Sequence, residues 1–356
     1  MTPSRTPGLT GGNSLAVGAA SVDHRVMADR PDSTVLRWRP ITADDVPGWH
    51  ALVERMATGD GARDRTGADE LGDMLGWAWL DPTVDTVLGL DDGGVPRAYG
   101  TVDLAPGDIS LLRPFCAGGV DPALRGQGVG RSVLAWQLRR CQDLVARRRA
   151  QVGPEVPATA MLWVEDATPG VTAIAARQGF AATRWFATMK RPLDQAVPPV
   201  QVPDGIALAP LTEDLDEQAR TVFNVAFVDH WGTQPLTSQD WRATHVGGPV
   251  FRRPWSLVAQ AGDTVVGLHL AAAYEHEWTV HGHTQGWTEA LGVLQPWRGR
   301  GVATALLLAA VHLFARDGMH SAGLGVDSDN PTGAVNLYTR LGYHRSHGGT
   351  AWTRHL

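Results

Sequence analysis

Apolar positions along this chain change period several times, and the order of those changes repeats. Val35-Leu-Arg-Trp-Arg-Pro-Ile alternates like a half-buried strand and runs into Thr42-Ala-Asp-Asp, a helix start. Far downstream, Ile206-Ala-Leu-Ala-Pro-Leu runs into Thr212-Glu-Asp in the same way. The second copy continues as a helix and then a hairpin, Ser256–Gln260 and Thr264–Ala272, joined by Ala261-Gly-Asp. A further strand leads into a glycine-rich segment. After it, Val302–Arg316 carries leucines and alanines at helical spacing and stops at Gly318. The pattern then predicts a buried strand over Ala322–Val326, a short helix ending at Gly342-Tyr343, and a closing hairpin around Gly348-Gly349.

The repeat is sharpest in the glycine-rich segments, Val120-Asp-Pro-Ala-Leu-Arg125-Gly-Gln-Gly-Val-Gly130 and Val293-Leu-Gln-Pro-Trp-Arg298-Gly-Arg-Gly-Val-Ala303, which lie 173 positions apart. At 356 residues the chain suits two domains of about 150–170 residues each. The Pro-rich stretch 195–203 reads as a semi-rigid linker, which sets the domains at 34–194 and 204–356. Residues 1–33, rich in Gly, Ser, Thr and Pro and without a basic start and apolar core, read as a disordered leader. From motif arginine to the later Gly-aromatic pair, the first half is ten residues longer, and the polar stretch Arg148–Ala158 is the natural loop to hold them.

Composition narrows the function by exclusion. A net charge of −6 gives no broad electrostatic footprint for nucleic acid, and Arg139-Arg140 with Arg147–Arg149 reads as a solvated helix end. The longest largely apolar run, Ala303 to Val311, is too short to span a bilayer, so no membrane role is expected. Two cysteines, Cys116 and Cys141, point to a reducing, cytoplasmic compartment rather than a disulfide framework. His276, His281 and His283 lack a thiol or a clear carboxylate partner, so no metal is expected.

Strand, Arg-x-x-Gly-x-Gly/Ala, then apolar helix is a phosphate cradle. Glycines let backbone N–H groups turn inward, and the helix N-terminus adds partial positive charge. Neither copy has the Lys-Ser/Thr of a P-loop or the strand acid of a dinucleotide fold. Both halves resemble the GNAT acetyltransferases, most closely over Trp287 to Tyr343, including Arg298–Ala303 and Leu337-Tyr338. The tandem layout is similar to that of the mycothiol synthase branch of that family. The resemblance implies an α+β protein of two tandem folds, each a mixed, mostly antiparallel sheet flanked by helices and splayed between its fourth and fifth strands. It also implies acetyl-CoA as co-substrate and a small-molecule primary amine as acceptor.

Acyl transfer to an amine needs a base, oxyanion donors and an acid for the leaving thiolate. By the resemblance, Glu289 is the base and Tyr338 the acid. Leu291, Gly292, Val293, Arg298, Gly299, Arg300, Gly301, Val302, Ala303, Thr304 and Asn330 hold the CoA. A possible second CoA site comprises Gly119, Val120, Arg125, Gly126, Gln127, Gly128, Val129 and Gly130. Counting from the motif, Cys116 stands where Glu289 would; counting from Gly179 against Gly342, Ala175 stands where Tyr338 would, so the first half reads as catalytically degenerate. Asp229, His230 and Trp231 are the candidate acceptor contacts. The expected activity is direct acetyl transfer in the second half of a monomer or homodimer, and a non-catalytic acyl-CoA sensor is the alternative.

Overall fold

The computed structural model describes residues 30–166, 168–228, 230–231, 235–328 and 334–356. In the first half, β1 (Arg37–Arg39) leads to α1 (Val46–Asp60) and α2 (Ala68–Leu75). Then come β2 (Thr86–Leu90), β3 (Pro96–Asp103), β4 (Phe115–Val120), α3 (Val129–Val152), β5 (Thr159–Glu165), α4 (Pro169–Arg177) and β6 (Ala181–Pro192). The second half repeats the plan with β7 (Ala207–Pro210), α5 (Asp216–Ala226), β8 (Leu257–Ala261), β9 (Thr264–Ala272) and α6 (Glu275–His281). It ends with β10 (Gln285–Val293), α7 (Val302–Arg316), β11 (Ser321–Asp327), α8 (Ala334–Arg340) and β12 (His344–His355).

The strands form one sheet of twelve, in the order β1-β2-β3-β4-β5-β12-β6-β11-β10-β9-β8-β7. Read from either end, each strand meets its counterpart in the other repeat, so the sheet has a pseudo-twofold at its centre. Only β4–β5 and β10–β11 run parallel, so the fold is α+β with a mixed, mostly antiparallel sheet. The halves exchange their last strands. β6, from the first half, pairs with β11 from Ser321–Pro192 to Asp327–Phe186, while β12 pairs with β5 from Gly349–Glu165 to His355–Thr159. β6 and β12 then pair with each other.

This exchange corrects the expected closing hairpin. Gly348 and Gly349 lie inside the continuous strand β12, because the Trp163 ring and the Phe186 carbonyl occupy the space that Cβ atoms would need there. The extra residues of the first half also sit elsewhere than expected: α3 has 24 residues against 15 in α7, so they lengthen a helix and not the loop. His281 is the last residue of helix α6. Of the presumed leader, Arg30 donates to the Trp38 carbonyl at 2.6 Å and the Ser33 N–H to Ser132 Oγ at 2.9 Å, so these residues are tied to the first half. Residues 1–29 lie outside the described residues.

Each half packs its long helix on one face of the sheet. α7 buries Val302, Leu306, Leu307, Ala310, Val311 and Phe314, the helical stripe that its sequence period requires. Gly286 admits the Phe314 ring: a Cβ there would stand 2.5 Å from it. The linker runs over α7, where His312 Nε2 donates to the Pro198 carbonyl at 2.9 Å and Leu193 and Val197 join the apolar core.

Because β6 and β12 belong to both halves, calorimetry should show a single cooperative unfolding transition. Ala351 is paired on both sides, to Trp163 and to Arg184. Ala351→Pro, which breaks a central ladder, should lower that transition as a whole, by on the order of 5 °C. Two resolved transitions of which only one moves would show that the halves fold independently.

Candidate active site

Both glycine loops adopt the same geometry. Gly299 and Gly301 have φ of 72° and 89°, and Gly126 and Gly128 have 80° and 85°, values that L side chains adopt only under strain. Gly301 caps α7, whose first turn closes with Ala305 N–H on the Gly301 carbonyl at 2.9 Å. The N–H groups of Val302, Ala303 and Thr304 are thus left without intrahelical partners at a positive helix end, a fit for phosphate. The side chain of Val302 is core, so only its backbone can serve a ligand.

The motif arginines are occupied within the protein. Arg298 donates from Nε to the Val293 carbonyl and from Nη2 to the Ala226 carbonyl, each at 2.9 Å. Its own N–H is bonded to the Gln295 carbonyl. Arg125 reaches the Val120 carbonyl at 3.2 Å and forks onto Asp60. Arg125 thereby braces the end of β4 against the end of α1, and Arg298 the end of β10 against the end of α5. Arg300 lies over the Trp297 ring at 5.1 Å. At Gly292 the space of the missing side chain is filled by Phe227, and at Gly119 by Met56, so protein rather than ligand exploits these two glycines.

The halves differ in one residue of strand register. β9 and β10 pair Thr288 with Ala271 and Ala290 with Leu270, so Glu289 bulges out. β10 and β11 part immediately after Thr288–Leu324, which opens a cleft whose edge is β10 from Glu289 to Val293. Alternate peptides of Leu291–Val293 face that edge without a strand partner. In the first half β3 and β4 pair without a break from Ala98–Val120 to Asp103–Phe115, and β4 and β5 part after Cys116–Leu162. Measured from the cleft mouth, Cys116 therefore matches Thr288, and Glu289 has no counterpart. Cys116 is buried, 3.5 Å from the Cys141 sulfur.

Glu289 keeps an exposed side chain at the cleft while protein surrounds it at longer range, so desolvation raises its pKa above the ordinary carboxylate value. The Tyr274 hydroxyl donates to it at 3.1 Å, and the Trp287 indole also bonds to it, partly offsetting that rise. Tyr338 is 9% exposed, packs against Tyr343 at 6.0 Å between centroids, and has its pKa pushed up to about 12 by burial. Asn330 and Asp229 lie outside the described residues. The ring of His230 packs on Phe227, and Trp231 lies 6.0 Å from Phe186.

Tyr274 and Trp287 also line a cavity of about 360 Å³ at the centre of the sheet. Its floor comes from Trp163 and Glu165 of β5, Phe186, Ala187 and Thr188 of β6, Gly325 of β11, and Gly348 and Gly349 of β12. Asp64, Arg65 and Glu277 complete it. The loop carrying Asp64 and Arg65 is fastened to α6. Glu277 accepts the Arg65 N–H at 2.9 Å, while His276 and His281 donate from Nε2 to the carbonyls of Arg65 and Arg63 at 2.8 and 2.6 Å. His347 holds Asp64 at 2.8 Å. None of Asp64, Arg65, Trp163, Glu165, Tyr274 or Glu277 stands in a motif, and their meeting depends on contacts between the two halves that no local pattern encodes. Among the described residues no group of three His, Cys, Asp or Glu could hold a metal, and no helix is long and apolar enough to cross a membrane.

Splayed parallel strands, a glycine loop capping the following helix and a bulged carboxylate at the splay define an acyltransferase of the GNAT type. Residues 216–343 match the acetyltransferase (GNAT) family. The mycothiol acetyltransferase of Thermomonospora curvata is 30% identical over 263 residues, covering 73% of this chain and 79% of that protein. That of Frankia alni is 30% identical over 231 residues, which span 63% of this chain and 65% of the relative. Among solved structures, a GCN5-related N-acetyltransferase from Sphaerobacter thermophilus superposes with a TM-score of 0.68 at 25% identity, covering 91% of this chain and 96% of that one. A tandem GNAT protein from the clavulanic acid biosynthesis pathway shares the fold, with a TM-score of 0.55 at 18% identity over 90% of this chain and 98% of that one. The chain belongs to the GNAT acetyltransferase family and is an N-acetyltransferase.

Burial raises the pKa of Glu277 from 4.5 to about 7. Below pH 4.5 the folded and unfolded states both hold its proton, and the proton's contribution to stability is complete. Between 4.5 and about 7 only the folded state holds it, so stability falls as pH rises and the contribution is lost above about 7. Glu277→Gln should therefore gain stability over the wild type progressively from pH 5 to pH 8, reaching about 2–3 kcal/mol. Denaturant melts across that range would check it, and a pH-independent difference would contradict it.

Proposed function

We propose that the protein transfers an acetyl group from acetyl-CoA to the primary amine of a small molecule, with the chemistry in the second half and the acceptor in the central cavity. The observation that carries this reading is Glu289, bulged from β10 at the mouth of the cleft and one hydrogen bond from Tyr274 on the cavity wall. A carboxylate there can take a proton from an ammonium presented through the cavity. Its raised pKa makes it a stronger base than an ordinary carboxylate. The freed amine attacks the thioester carbonyl, the C–N bond forms as the C–S bond breaks, and unpartnered β10 peptides face the developing oxyanion. Tyr338, protonated throughout the neutral range, supplies the proton to the departing thiolate. The N–H groups of 302–304 and the loop Gly299–Gly301 receive the diphosphate. That relatives are named for acetylating mycothiol supports a small-molecule acceptor.

The first half, in this reading, keeps a loop able to receive a second CoA but has neither bulge nor base, and its contribution is to wall the cavity. CoA thiol release from acetyl-CoA with a panel of small amines tests the assignment. Glu289→Gln and Tyr338→Phe should each slow amine-dependent release by ~10²-fold or more; full activity in both would place the chemistry elsewhere. Tyr274→Phe removes a donor that holds the Glu289 pKa down, so that pKa should rise. Since the base must be ionised, the alkaline-going rise of kcat/KM should move to higher pH, by roughly half a unit to one unit. An unmoved profile would mean that Tyr274 does not act through Glu289.

A further inference from the structure

The cavity wall holds a guanidinium whose one ion pair among the described residues is loose and whose Nε and Nη1 lack a hydrogen-bonded partner. The Arg65 side chain is 8% exposed, and its closest carboxylate, Glu54, lies 3.9 Å away. Its Nε and Nη1 are buried and have no hydrogen-bond partner among the described residues. A guanidinium cannot escape this cost by giving up its proton. Nor can the loop swing it out to water, because the Arg65 N–H and carbonyl are both tied to α6, through Glu277 and His276. Among the neighbouring acids, Asp64 is engaged by His347 and Glu277 by the Arg65 backbone, and Glu165 feels the Arg65 charge without a hydrogen bond to it. Arg65 lines the cavity, and the cavity is the side from which an anion can reach it.

Resting on the assignment of this cavity to the acceptor, we propose that the acceptor carries an anionic group as well as its amine, and that Arg65 of the first half selects an amino carboxylate. The carboxylate pairs with the buried guanidinium, and the amine lies toward Tyr274 and Glu289 at the cleft. Charge-assisted pairing with a largely buried guanidinium is stronger than at a surface, and a neutral analogue would leave it without a hydrogen-bonded anion. Selectivity on that scale is typical where a missing polar partner strands a buried one. This gives the first half a part in choosing the substrate although it lacks the chemistry.

The test uses the full chain with acetyl-CoA and a panel of α-, β- and γ-amino acids, each beside its own carboxamide. For the wild type, kcat/KM of the best acid should exceed that of its amide by about 10²-fold. Arg65→Gln should collapse the ratio toward one, chiefly through the acid's KM, and Arg65→Lys should restore part of it. Thermal melts confirm that the variants are folded. Calorimetric binding of the same acids and amides in the presence of CoA gives a readout that does not need turnover. Preferential binding of acids, lost in Arg65→Gln but without acetylation, would support the anion site and sink the proposed amine transfer. Acids and amides turned over alike, with the ratio unmoved by Arg65→Gln, would overturn the anion site and leave amine transfer standing. Neither turnover nor preferential binding of any acid would overturn both.

Discussion

The exchange of the last strands is the constraint on which the rest of this structure depends. After β5 and β11 each repeat still has an open sheet edge, and an unpaired edge is a liability for any sheet. Each half closes it with the strand of the other: β12 lies on β5, and β6 on β11. The two halves are thereby fixed in one register, antiparallel through the β6–β12 ladder. The cavity floor is a direct product of that ladder, since four adjacent strands drawn from both repeats supply it. Once the floor is set, the loop at Asp64 and Arg65 falls within reach of α6, and the bonds from His276, His281 and Glu277 hold it there.

Duplication of a fold supplies two clefts, and a single extra residue in one strand decides which has a carboxylate at its mouth. Side chains alternate across a strand with a period of two, so one added residue reverses every face beyond it. In β10 the added residue is Glu289, turned out at the place where β11 departs. In β4 the pairing with β3 is regular, and Cys116 points into the core beside Cys141. Counting back from the glycine motif makes Cys116 the counterpart of Glu289, whereas counting from the cleft mouth makes it that of Thr288. The two counts disagree by one, and that one is the bulge.

Local chemistry accounts for what was legible in the sequence. The stripe of Val302–Arg316, the stop at Gly318 and the positive-φ glycines at the motif are short-range signals, and the elements stand where those signals put them. The bases of the misread elements are long-range. Gly348-Gly349 looks like a turn, but the pair exists to let Trp163 and the Phe186 backbone lie close to β12. The surplus of the first half reads as polar loop, but Arg147–Arg149 extend α3, with Arg148 and Arg149 donating to the Pro106 and Val156 carbonyls. Glu289 was legible as a carboxylate on the strand before the motif. Its bulge, and the cavity groups Arg65, Glu165, Tyr274 and Glu277, were not, because tertiary contacts between residues as far apart as Asp64 and His347 bring them together.

The motif arginine shows how a signature can be specific for a fold and silent about chemistry. Arg125 and Arg298 each take the carbonyl of the last β4 or β10 residue, then brace the end of α1 or α5 with different partners. Arg125 uses the Asp60 carboxylate, while Arg298 uses the Ala226 carbonyl. Either solution fixes the turn that leaves the next helix's N–H groups unpaired, and so either preserves a phosphate cradle. Selection on that geometry alone would keep both motifs, whichever half transfers the acetyl group. The residues in which the two clefts differ lie outside the motif, at the bulge and across the exchanged sheet. It is there that the second repeat has the Glu289 carboxylate, bonded to Tyr274 of the cavity wall, and there that the first contributes Arg65 to the same wall.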